Sequence, residues 1–331
     1  MAGHMDKKNL VDKKEKIAVI LFNLGGPDSL KAVKPFLFNL FYDPAIIALN
    51  NPWRWLVAKV LSRKRAPIAR EIYKKIGNKS PILDQTKAQA VALENNLNAE
   101  SDRDYCCFVS MRYWHPFSCN VAKKVKNFAP NRMVLLPLYP HYSITTTGSS
   151  LIDWAKNAKT AGLDTSYRVV RDYPEDAGFI EAHVRMIQAE IKKIGSLDEY
   201  RILYSAHGLP EKVIEAGDPY RQHTENTCRL IQEQLGHPDH IVCFQSRVGP
   251  LKWIEPYTDD EIRRVGEEGK SLIIVPVSFV SEHSETLVEL DMEYRDIAEK
   301  SGVKNYIRIA AIGCHPAYIS TLAKLTKDIL K

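Results

Sequence analysis

Short apolar and β-branched runs alternate along this chain with longer segments in which apolar residues recur at helical spacing. Such alternation is typical of parallel strands joined by crossover helices. The predicted strands cover residues 16–23, 105–111, 132–139, 166–173, 201–207, 240–246, 271–279 and 306–313. Four precede residue 175 and four follow it, which predicts an α/β protein with two similar doubly wound, Rossmann-like parallel sheets, each covered by helices on both faces.

This division predicts an N-terminal tail at residues 1–15 and two domains at residues 16–175 and 176–331. The opening MAGHM resembles a cloning remnant ahead of a native Met5, so it is excluded from the fold prediction. Residues 28–101, between the first two strands, are predicted to be helical throughout and are longer than one crossover requires. We therefore expect a helical insertion in the first domain.

The composition is that of an ordinary globular protein, with 331 residues and 45% hydrophobic content, enough for one large or two medium domains. The net charge of +6 is too mild and too dispersed to predict nucleic-acid binding. The six cysteines lack CxxC spacing, which predicts a reducing compartment. Because no apolar run approaches the roughly 20 residues that span a bilayer, and no signal peptide is evident, we expect a cytoplasmic protein.

The polar motifs all follow predicted strands. They are NLGGP after the first strand, MRYWHP after the second, YPHYSITTTGSS after the third, HGLPE after the fifth, QSRVGPLKW after the sixth and SEHSE after the seventh. Since the carboxyl ends of parallel strands form the ligand crevice of such sheets, these motifs are expected to converge. The glycines of NLGGP could cradle a phosphate or simply start a helix, and the hydroxyls of TTTGSS could bind an anion or cap a helix.

An acidic stripe follows the seventh strand. Glu285, Glu289 and Glu293 recur every four residues and would line one face of a helix. The opposite, core-facing side would carry Leu287, Leu290, Tyr294 and Ile297. Like charges at this spacing weaken a helix, so the stripe indicates either a path for cations or protons, or a merely solvated face.

Two histidines and one of these acids are the candidate metal ligands. His207 ends the fifth strand before Gly208, so its ring should project into the crevice, where a lone histidine is more often structural than catalytic. His283 and Glu285 alter that balance, because imidazole and carboxylate form a mixed N/O set suited to iron or zinc and to proton transfer. The set differs from the closed Cys/His cage of a structural zinc site.

The insertion contains a segment that is both apolar and basic. Its apolar side chains are Phe36, Phe38, Phe41, Ile46, Ile47, Trp53, Trp55 and Leu56. Its basic side chains are Arg54, Lys59, Arg63, Lys64, Arg65 and Arg70. The mixture predicts either an amphipathic helix pair packed on the core, or an apolar lip with a basic rim that suits a flat ligand bearing carboxylates or a membrane surface.

A series of ordered motifs resembles the ferrochelatase family, whose members insert ferrous iron into a porphyrin to form haem, the last step of haem biosynthesis. The motifs are NLGGP, FLFNLFYDPAII, IGNKSPI, MRYWHP, LYPHYSITTTGSS, SAHGLP, GDPY, QSRVGPLKW and SEHSETLVELDMEY, and the resemblance runs from about Lys16 to the C-terminus. The family fold, two similar doubly wound domains with a porphyrin cleft between them, agrees with the strand pattern. NLGGP resembles the bacterial branch that uses protoporphyrin IX more than the branch that uses coproporphyrin.

The resemblance implies roles for particular residues. The catalytic and metal-binding pair would be His207 and Glu285, with His283 beside them and a metal or proton path through Glu289 and Glu293. The porphyrin would contact Leu24, Arg65, Tyr73, Ser80, Arg112, Tyr113, Tyr142, Ser143, Trp253 and Phe279. It stays open which of the pair takes the proton and which presents the metal. Asn78 and Lys79 stand where relatives often carry glycines.

The resemblance also implies what the protein binds. Ferrous iron and protoporphyrin IX are substrates and haem is the product, with no permanent cofactor. Some members hold a 2Fe–2S cluster through a C-terminal extension and a cysteine after the YS of the third-strand motif. That cluster is not expected here, because Ile144 follows Ser143 and the chain ends at Lys331. A mitochondrial member with a transit peptide is not expected. Peripheral contact with the inner face of the membrane is expected.

Two other functions fit parts of the pattern. A non-enzymatic haem or metal carrier would use the same cleft, but it needs neither a proton acceptor nor the acidic stripe. Insertion of cobalt or nickel into another tetrapyrrole would use the same ligands, because several divalent ions bind N/O sites.

Overall fold

The computed structural model describes residues 14–99 and 101–331. The expected cloning remnant and most of the N-terminal tail lie outside this part of the chain. The strands are β1 (Lys16–Asn23), β2 (Asp104–Met111), β3 (Arg132–Pro137), β4 (Tyr167–Val169), β5 (Tyr200–His207), β6 (His240–Gln245), β7 (Ser271–Pro276) and β8 (Tyr306–Arg308). The α-helices are α1 (Val33–Phe41), α2 (Trp53–Lys75), α3 (Ile82–Asn98), α4 (Ser118–Phe128), α5 (Ser149–Thr160), α6 (Ala177–Ile194), α7 (Glu211–Glu215), α8 (Tyr220–Leu235), α9 (Thr258–Glu267), α10 (Tyr294–Lys300) and α11 (Pro316–Asp328). Two π-helices are π1 (Ile144–Gly148) and π2 (Glu285–Glu293).

The strands form two parallel sheets with the same topology. Their strand orders are β2-β1-β3-β4 and β6-β5-β7-β8, and every neighbouring pair is parallel. The central strands β1 and β5 are buried along almost their whole length. Helices cover both faces of such a sheet, which explains why these strands are continuous apolar runs rather than alternating ones. The predicted fold class is confirmed, and the domain boundary after residue 175 stays a prediction.

Two of the edge strands, β4 and β8, are shorter than the apolar runs 166–173 and 306–313 predicted. β4 and β8 contain three residues each and pair with one neighbour only. Beyond them a single backbone hydrogen bond continues the ladder, from Val170 to Leu135 and from Ile309 to Ile274. Both residues are buried, so the apolar run continues to fill the core after the strand has ended.

The insertion at residues 28–101 is interrupted rather than helical throughout, because loops at 43–52 and 76–81 separate its helices. α1 and α2 pack together over an apolar cluster that includes Phe36 and Tyr73. α3 is instead an ordinary crossover helix, since Leu93 and Leu97 are fully buried in the core beside β1. Only α1 and α2 therefore form the lip.

One buried amide ties the two sheets together close to the candidate site. The Gln89 side chain on α3 is 0% exposed and donates hydrogen bonds to the carbonyls of Val280 and Gly313, at 2.7 and 3.0 Å. Its oxygen accepts a hydrogen bond from Ser281. The segment that leads from β7 into π2 is thus held by a helix of the other half.

Candidate active site

His207 stands at the end of β5 where the backbone beyond it is closely packed. A Cβ on Gly208 would lie 3.0 Å from the carbonyl oxygen of Gln245 and 3.3 Å from the Trp253 ring, so a side chain there would force its neighbours to shift. The Gly208 N–H donates to the same carbonyl at 2.8 Å. His207 therefore has a fixed backbone and a side chain that is 36% exposed.

His207 and Glu285 form a hydrogen-bonded pair. His207 Nδ1 lies 2.9 Å from Oε2 of Glu285, the first residue of π2. The same oxygen lies 3.6 Å from Nε2 of His283, whose ring packs against Phe279 with centroids 4.7 Å apart. The structure thus brings together the three residues that the sequence predicts at the metal site. Within residues 14–99 and 101–331, no set of three or more His, Cys, Asp or Glu side chains converges in the manner of a preformed metal site.

The acidic stripe lies on a π-helix rather than on an α-helix, and its members have partners. π-helical turns are frequent at functional sites. Glu289 accepts hydrogen bonds from the backbone N–H and the hydroxyl of Ser246 and from the hydroxyl of Tyr294. Glu293, at the far end of π2, lies 3.6 Å from Nζ of Lys75 on α2. The stripe therefore runs from the His207–Glu285 pair to the surface and is not a simple solvated face.

His207 and Glu285 each shift the pKa of the other. Burial favours a neutral imidazole, but the charge and hydrogen bond of Glu285 outweigh burial and raise the pKa of His207. Burial likewise opposes ionisation of Glu285, yet His207 and His283 hold its pKa well below its usual range. Each member of the pair thus favours the charged form of the other. Glu289 behaves differently, because burial and the neighbouring Glu285 raise its pKa despite the hydrogen bonds that it accepts.

A second polar cluster forms where β2 ends. Arg112 Nη2 and the Tyr113 hydroxyl donate to the buried carboxylate of Asp43, at 2.7 and 2.8 Å. Arg112 Nε donates to the Ser149 hydroxyl at 2.7 Å. Tyr113 is 0% exposed and burial raises its pKa, whereas Arg112 retains some exposed surface. Arg112 is therefore the member of the predicted pair that a ligand can reach.

Tyr73 lies between the polar cluster around Asp43 and the His207–Glu285 pair. Its ring belongs to the apolar cluster that contains Tyr113, while its hydroxyl faces Ser284, next to Glu285. Burial raises the pKa of Tyr73 to about 12, so the phenol stays protonated. The predicted lip residue Arg65 is half-buried about two helical turns earlier on α2.

The NLGGP turn packs directly against the loop that joins α2 to α3. A Cβ on Gly26 would lie 2.5 Å from the Cβ of Ser80, and the Ser80 N–H donates to the Pro27 carbonyl at 2.8 Å. Ser80 itself is buried. Asn78 has a φ of +67°, a left-handed conformation that asparagine tolerates and that the glycines expected in relatives would adopt freely. Gly26 of the motif thus allows the two segments to pack closely.

The hydroxyl motif after β3 caps a helix. The Ser143 hydroxyl accepts a hydrogen bond from the Thr145 N–H at the start of π1 and donates to Asp218 at 3.0 Å. Ser143 is buried, whereas Tyr142 is partly exposed beneath the Arg171 guanidinium, 4.0 Å from the ring centroid. Among the predicted pocket residues, Tyr142 rather than Ser143 has side-chain surface available.

The predicted apolar walls lie beside both polar groups. The ring of Trp253 is 6.3 Å from that of His207, and its indole N–H donates to the Val248 carbonyl. Leu24 packs in the apolar cluster around Tyr113. Phe279 packs against His283. Apolar side chains therefore flank both the His207–Glu285 pair and the polar cluster that contains Arg112.

Comparison with known proteins decides the family. The ferrochelatase family model matches residues 16–330. A ferrochelatase of Caulobacter vibrioides is 52% identical over 95% of this chain and 90% of the relative, and one of a Wolbachia species from Drosophila simulans is 50% identical over 94% and 98%. The chain belongs to the ferrochelatase family. The family, the enzyme class and the reaction predicted from the sequence are confirmed.

Solved structures of other chelatases share the fold. SirB from Bacillus subtilis with Fe3+ covers 95% of this ferrochelatase-family chain with a TM-score of 0.57 and 13% identity. CbiX, a terminal enzyme of sirohaem biosynthesis in denitrifying bacteria, covers 96% of this chain with a TM-score of 0.53 and 13% identity. At this identity the likeness shows the architecture alone.

Several residues of the ferrochelatase-family site were missed by the sequence analysis. Four are partners of the predicted ones, namely Asp43, Ser149, Ser246 and Lys75, and the fifth is Gln89, which holds the segment between β7 and π2. Asp43 lies inside the quoted motif FLFNLFYDPAII, a polar residue in an apolar run, which was a usable signal. The others depend on contacts between elements that are distant in sequence, and no pattern reveals them.

The remaining acid of the run after β7 has a structural role. Glu282 accepts hydrogen bonds from Arg308 and from the Ala311 N–H, each at 2.9 Å. Arg308 also lies 3.6 Å from Asp291 within π2. This arginine therefore anchors π2 at Asp291 and the segment that precedes it at Glu282.

Proposed function

We propose that this chain inserts ferrous iron into protoporphyrin IX with the His207–Glu285 pair at the reacting centre. The observation that carries the proposal is the 2.9 Å contact between these side chains at the carboxyl end of β5, where open α/β sheets bind ligands. Imidazole nitrogen and carboxylate oxygen suit ferrous iron, and metal binding requires both to be deprotonated. Iron would therefore displace the proton that His207 shares with Glu285.

The neighbouring acids provide a path for the protons that the reaction releases. Haem formation breaks two pyrrole N–H bonds as iron binds the four nitrogens, so two protons must leave the site. Glu289 is suited to carry a proton, because its pKa is raised and it already lies in a hydrogen-bonded chain with Ser246 and Tyr294. Glu293 continues the path to solvent. The same acids can guide iron inward.

Porphyrin binding would supply the distortion that metal insertion needs. A planar macrocycle directs its nitrogen lone pairs into its own plane, so bending the ring exposes them to iron. Contacts of the lip and of Arg112 with the remote edges of the porphyrin would sustain that strain, as binding energy does in other enzymes. Trp253 and Phe279 would provide the apolar walls.

The first experiment removes each member of the pair. We expect His207→Ala and Glu285→Gln each to lower anaerobic iron insertion by about 10²- to 10⁴-fold, the usual contribution of a positioned acid or base. Porphyrin affinity, measured by fluorescence quenching, should change little, because neither residue supplies the apolar walls. The matched controls are His115→Ala and Glu299→Gln, two exposed positions away from the pair.

Near-native insertion rates in both site variants would refute the assignment. Equal losses of insertion and porphyrin affinity would indicate a packing role instead. Catalytic turnover by the wild-type protein, rather than a single stoichiometric spectral change, separates an enzyme from a carrier. A panel of ferrous, cobalt and nickel ions with two tetrapyrroles would define the metal preference.

We further propose that the lip rests on a membrane surface. Trp53 is 65% exposed, and Trp55 and Leu56 are exposed beside it, whereas Phe36 is buried. Lys59 Nζ lies 4.4 Å from the centroid of the Trp55 ring, so the basic and apolar groups share one surface. Among the helices of the described part, none has the length and apolar character that crossing a membrane requires. The proposed contact is peripheral, at the inner face of the membrane, where product haem would be released.

Vesicle flotation tests this contact. We expect binding to phosphatidylglycerol vesicles at low salt, weakened by salt because each basic residue contributes about 1 kcal/mol near an anionic surface. Trp55→Ser combined with Arg63→Ala should reduce binding with the fold intact. The matched control combines Ile152→Ser with Arg229→Ala, an exposed apolar residue and an exposed arginine outside the lip. No binding at low salt, or equal effects of the two double variants, would leave the lip as a packed helix pair.

A further inference from the structure

Asp43 is a buried carboxylate at the base of the lip. It directly follows the α1 cap residue Tyr42, and its side chain is 3% exposed. Its Oδ2 accepts hydrogen bonds from Arg112 Nη2 at 2.7 Å, from the Tyr113 hydroxyl at 2.8 Å and from the Ser149 hydroxyl. Its Oδ1 accepts from the Ala45 N–H at 2.8 Å. Every partner is a donor, so the site is built for a carboxylate.

These donors come from three separate parts of the chain. Arg112 and Tyr113 follow β2, Ser149 begins α5 after π1, and Ala45 belongs to the loop that leads to the exposed lip helix α2. One side chain thus fixes the path of the lip loop relative to the end of β2 and the start of α5. No other residue described above joins these three parts.

The Arg112 guanidinium is oriented by this carboxylate. Nη2 is held by Asp43 and Nε by Ser149, while the guanidinium carbon lies 4.9 Å from the centroid of the Tyr113 ring. A second acid, Asp153, lies farther away, at 3.8 Å from Nη1, and is more exposed. The carboxylate of Asp43 is therefore the close anchor and Asp153 a distant neighbour of the same charge.

We propose that Asp43 is a positioning residue for porphyrin binding, which holds Arg112 and the lip loop in the arrangement that receives the macrocycle. This inference rests on the proposed function, because it gives Arg112 and the lip their role. Asp43 has too little exposed surface to contact the ligand. It acts through Arg112 on one side and through the Ala45 loop on the other.

An amide cannot replace the carboxylate at this position. If the side-chain oxygen of the Asp43→Asn variant took the place of Oδ2, its NH2 group would face the Ala45 N–H, and the reverse orientation would set NH2 against three donors. The charge that compensates Arg112 would also be lost. Arg112 would then turn toward water or toward Asp153, and the lip loop would lose its anchor.

The experiment measures porphyrin affinity and steady-state kinetics of Asp43→Asn. We expect the porphyrin dissociation constant and the KM for porphyrin to rise by about 10- to 100-fold, the loss expected when one hydrogen bond to a charged group is removed. The KM for ferrous iron should stay within about twofold, because the iron ligands belong to the other half of the molecule. Asp153→Asn is the matched control, and it should leave both KM values within about twofold.

A purely structural role predicts a different result. It would lower the melting temperature and the active fraction while leaving both KM values unchanged, and that outcome would overturn the proposal. A double variant, Asp43→Asn with Arg112→Met, separates the effects, because removing the unpaired cation should recover thermal stability but not porphyrin affinity. Recovery of both would also overturn the proposal.

Failure of the proposed function would look different again. In that case the wild-type protein itself would not bind porphyrin or insert iron. If the wild type binds porphyrin and Asp43→Asn binds it equally well, only the positioning role of Asp43 is refuted.

Discussion

The two halves of the molecule have the same topology but different chemistry at corresponding points. β1 and β5 are the central strands of their sheets, and their last residues, Asn23 and His207, pair in register with Met111 and Gln245 at the ends of β2 and β6. A π-helix follows the third strand of each half, π1 after β3 and π2 after β7. The scaffold is therefore repeated to the level of the strand ends.

The side chains at these points differ in how far their polar groups are already used in hydrogen bonds within the fold. Asn23 is buried, donates to Thr86 at 3.0 Å and accepts from the Leu24 N–H at 2.8 Å, so its polar groups are used within the fold. His207 is partly exposed and faces Glu285. The fold therefore supplies two equivalent positions. The residue type at each position decides whether the side chain has a structural role or can react.

The residues one step further along repeat the contrast. Arg112, after β2, bonds Ser149 just beyond π1, and Ser246, after β6, bonds Glu289 within π2. In the first half the contact orients an arginine, which suits anionic propionates. In the second half it orients a carboxylate, which suits a metal or a proton. The charged partner thus follows the strand in the first half, as Arg112, and lies on the π-helix in the second, as Glu289.

The largest expected effect comes from making the second half like the first. His207→Asn would replace the imidazole with the amide that occupies the equivalent position on β1. We expect iron insertion to fall by about 10²- to 10⁴-fold, because the amide neither binds iron well nor accepts a proton. The measurement is the anaerobic initial rate, with porphyrin fluorescence quenching as the control for binding. Retention of more than a tenth of the wild-type rate would show that Glu285 and His283 suffice.

The reverse substitution tests the first half. Asn23→His should lower the free energy of unfolding by about 1–3 kcal/mol, because a larger ring enters a packed site and the Thr86 and Leu24 hydrogen bonds are disturbed. Urea unfolding measures the loss, and Asn96→His at an exposed position of α3 is the control. Unchanged stability, or a new metal-dependent rise in melting temperature, would contradict the view that this position is committed to structure.

The sheets could be predicted from the sequence because parallel strands are buried on both faces and leave an apolar signal. All the predicted strands are present, and the central ones agree with the structure to within a few residues. The edge strands β4 and β8 could not be bounded, because Val170 and Ile309 remain buried after the ladder has ended. The π-helix could not be predicted either, since Glu285, Glu289 and Glu293 also fit an α-helical face.

The site was predictable where function needs a reactive side chain at a strand end. His207 is such a residue, and the structure brings it together with Glu285 and His283, which belong to the polar run after β7. The porphyrin contacts predicted for Tyr113 and Ser143 stay predictions, and both side chains are buried and bond their neighbours. Their partners Asp43 and Asp218 lie far away in the sequence, and a contact of that kind is set by the folded chain, not by any local pattern.

A buried histidine joins the two halves, and we expect it to make their stability sensitive to pH. His141, after β3, is buried between Ser278, after β7, and Thr227 on α8, with ring nitrogens 2.8 and 2.9 Å from the two hydroxyls. Thr227 donates its proton to Pro174, so it accepts from His141, whose other nitrogen accepts from Ser278. Burial, with minor repulsion from His223 and His183, holds the pKa of His141 well below its usual value.

This depressed pKa fixes the sign of the pH dependence. The unfolded chain takes up a proton near pH 6.5 and the folded chain does not, so stability should fall as pH drops below about 6.5, by up to about 1.4 kcal/mol per unit for one histidine. His141→Gln keeps one donor and one acceptor and should flatten that slope by about one proton, as measured by urea unfolding between pH 7 and 5. His183, whose burial lowers its pKa to about 4, accounts for part of the remainder. An unchanged slope would refute the assignment, and His115→Gln is the exposed control.

The smallest expected effect concerns the outer end of the acidic stripe, where the first half meets the second. Lys75 on α2 lies 3.6 Å from Glu293, and both side chains are about half exposed. Its positive charge opposes the approach of a metal cation, so Lys75→Ala should lower the KM for ferrous iron by about two- to fivefold at low salt, the range of an exposed ion pair. Salt should abolish the effect, since exposed charges are screened. Lys74→Ala is the matched control, because Lys74 pairs instead with Glu71 on the same helix at 2.8 Å. Both substitutions remove one positive charge from adjacent positions, so an equal change in the two variants would assign the effect to net charge, and only a change confined to Lys75→Ala supports entry of iron along π2.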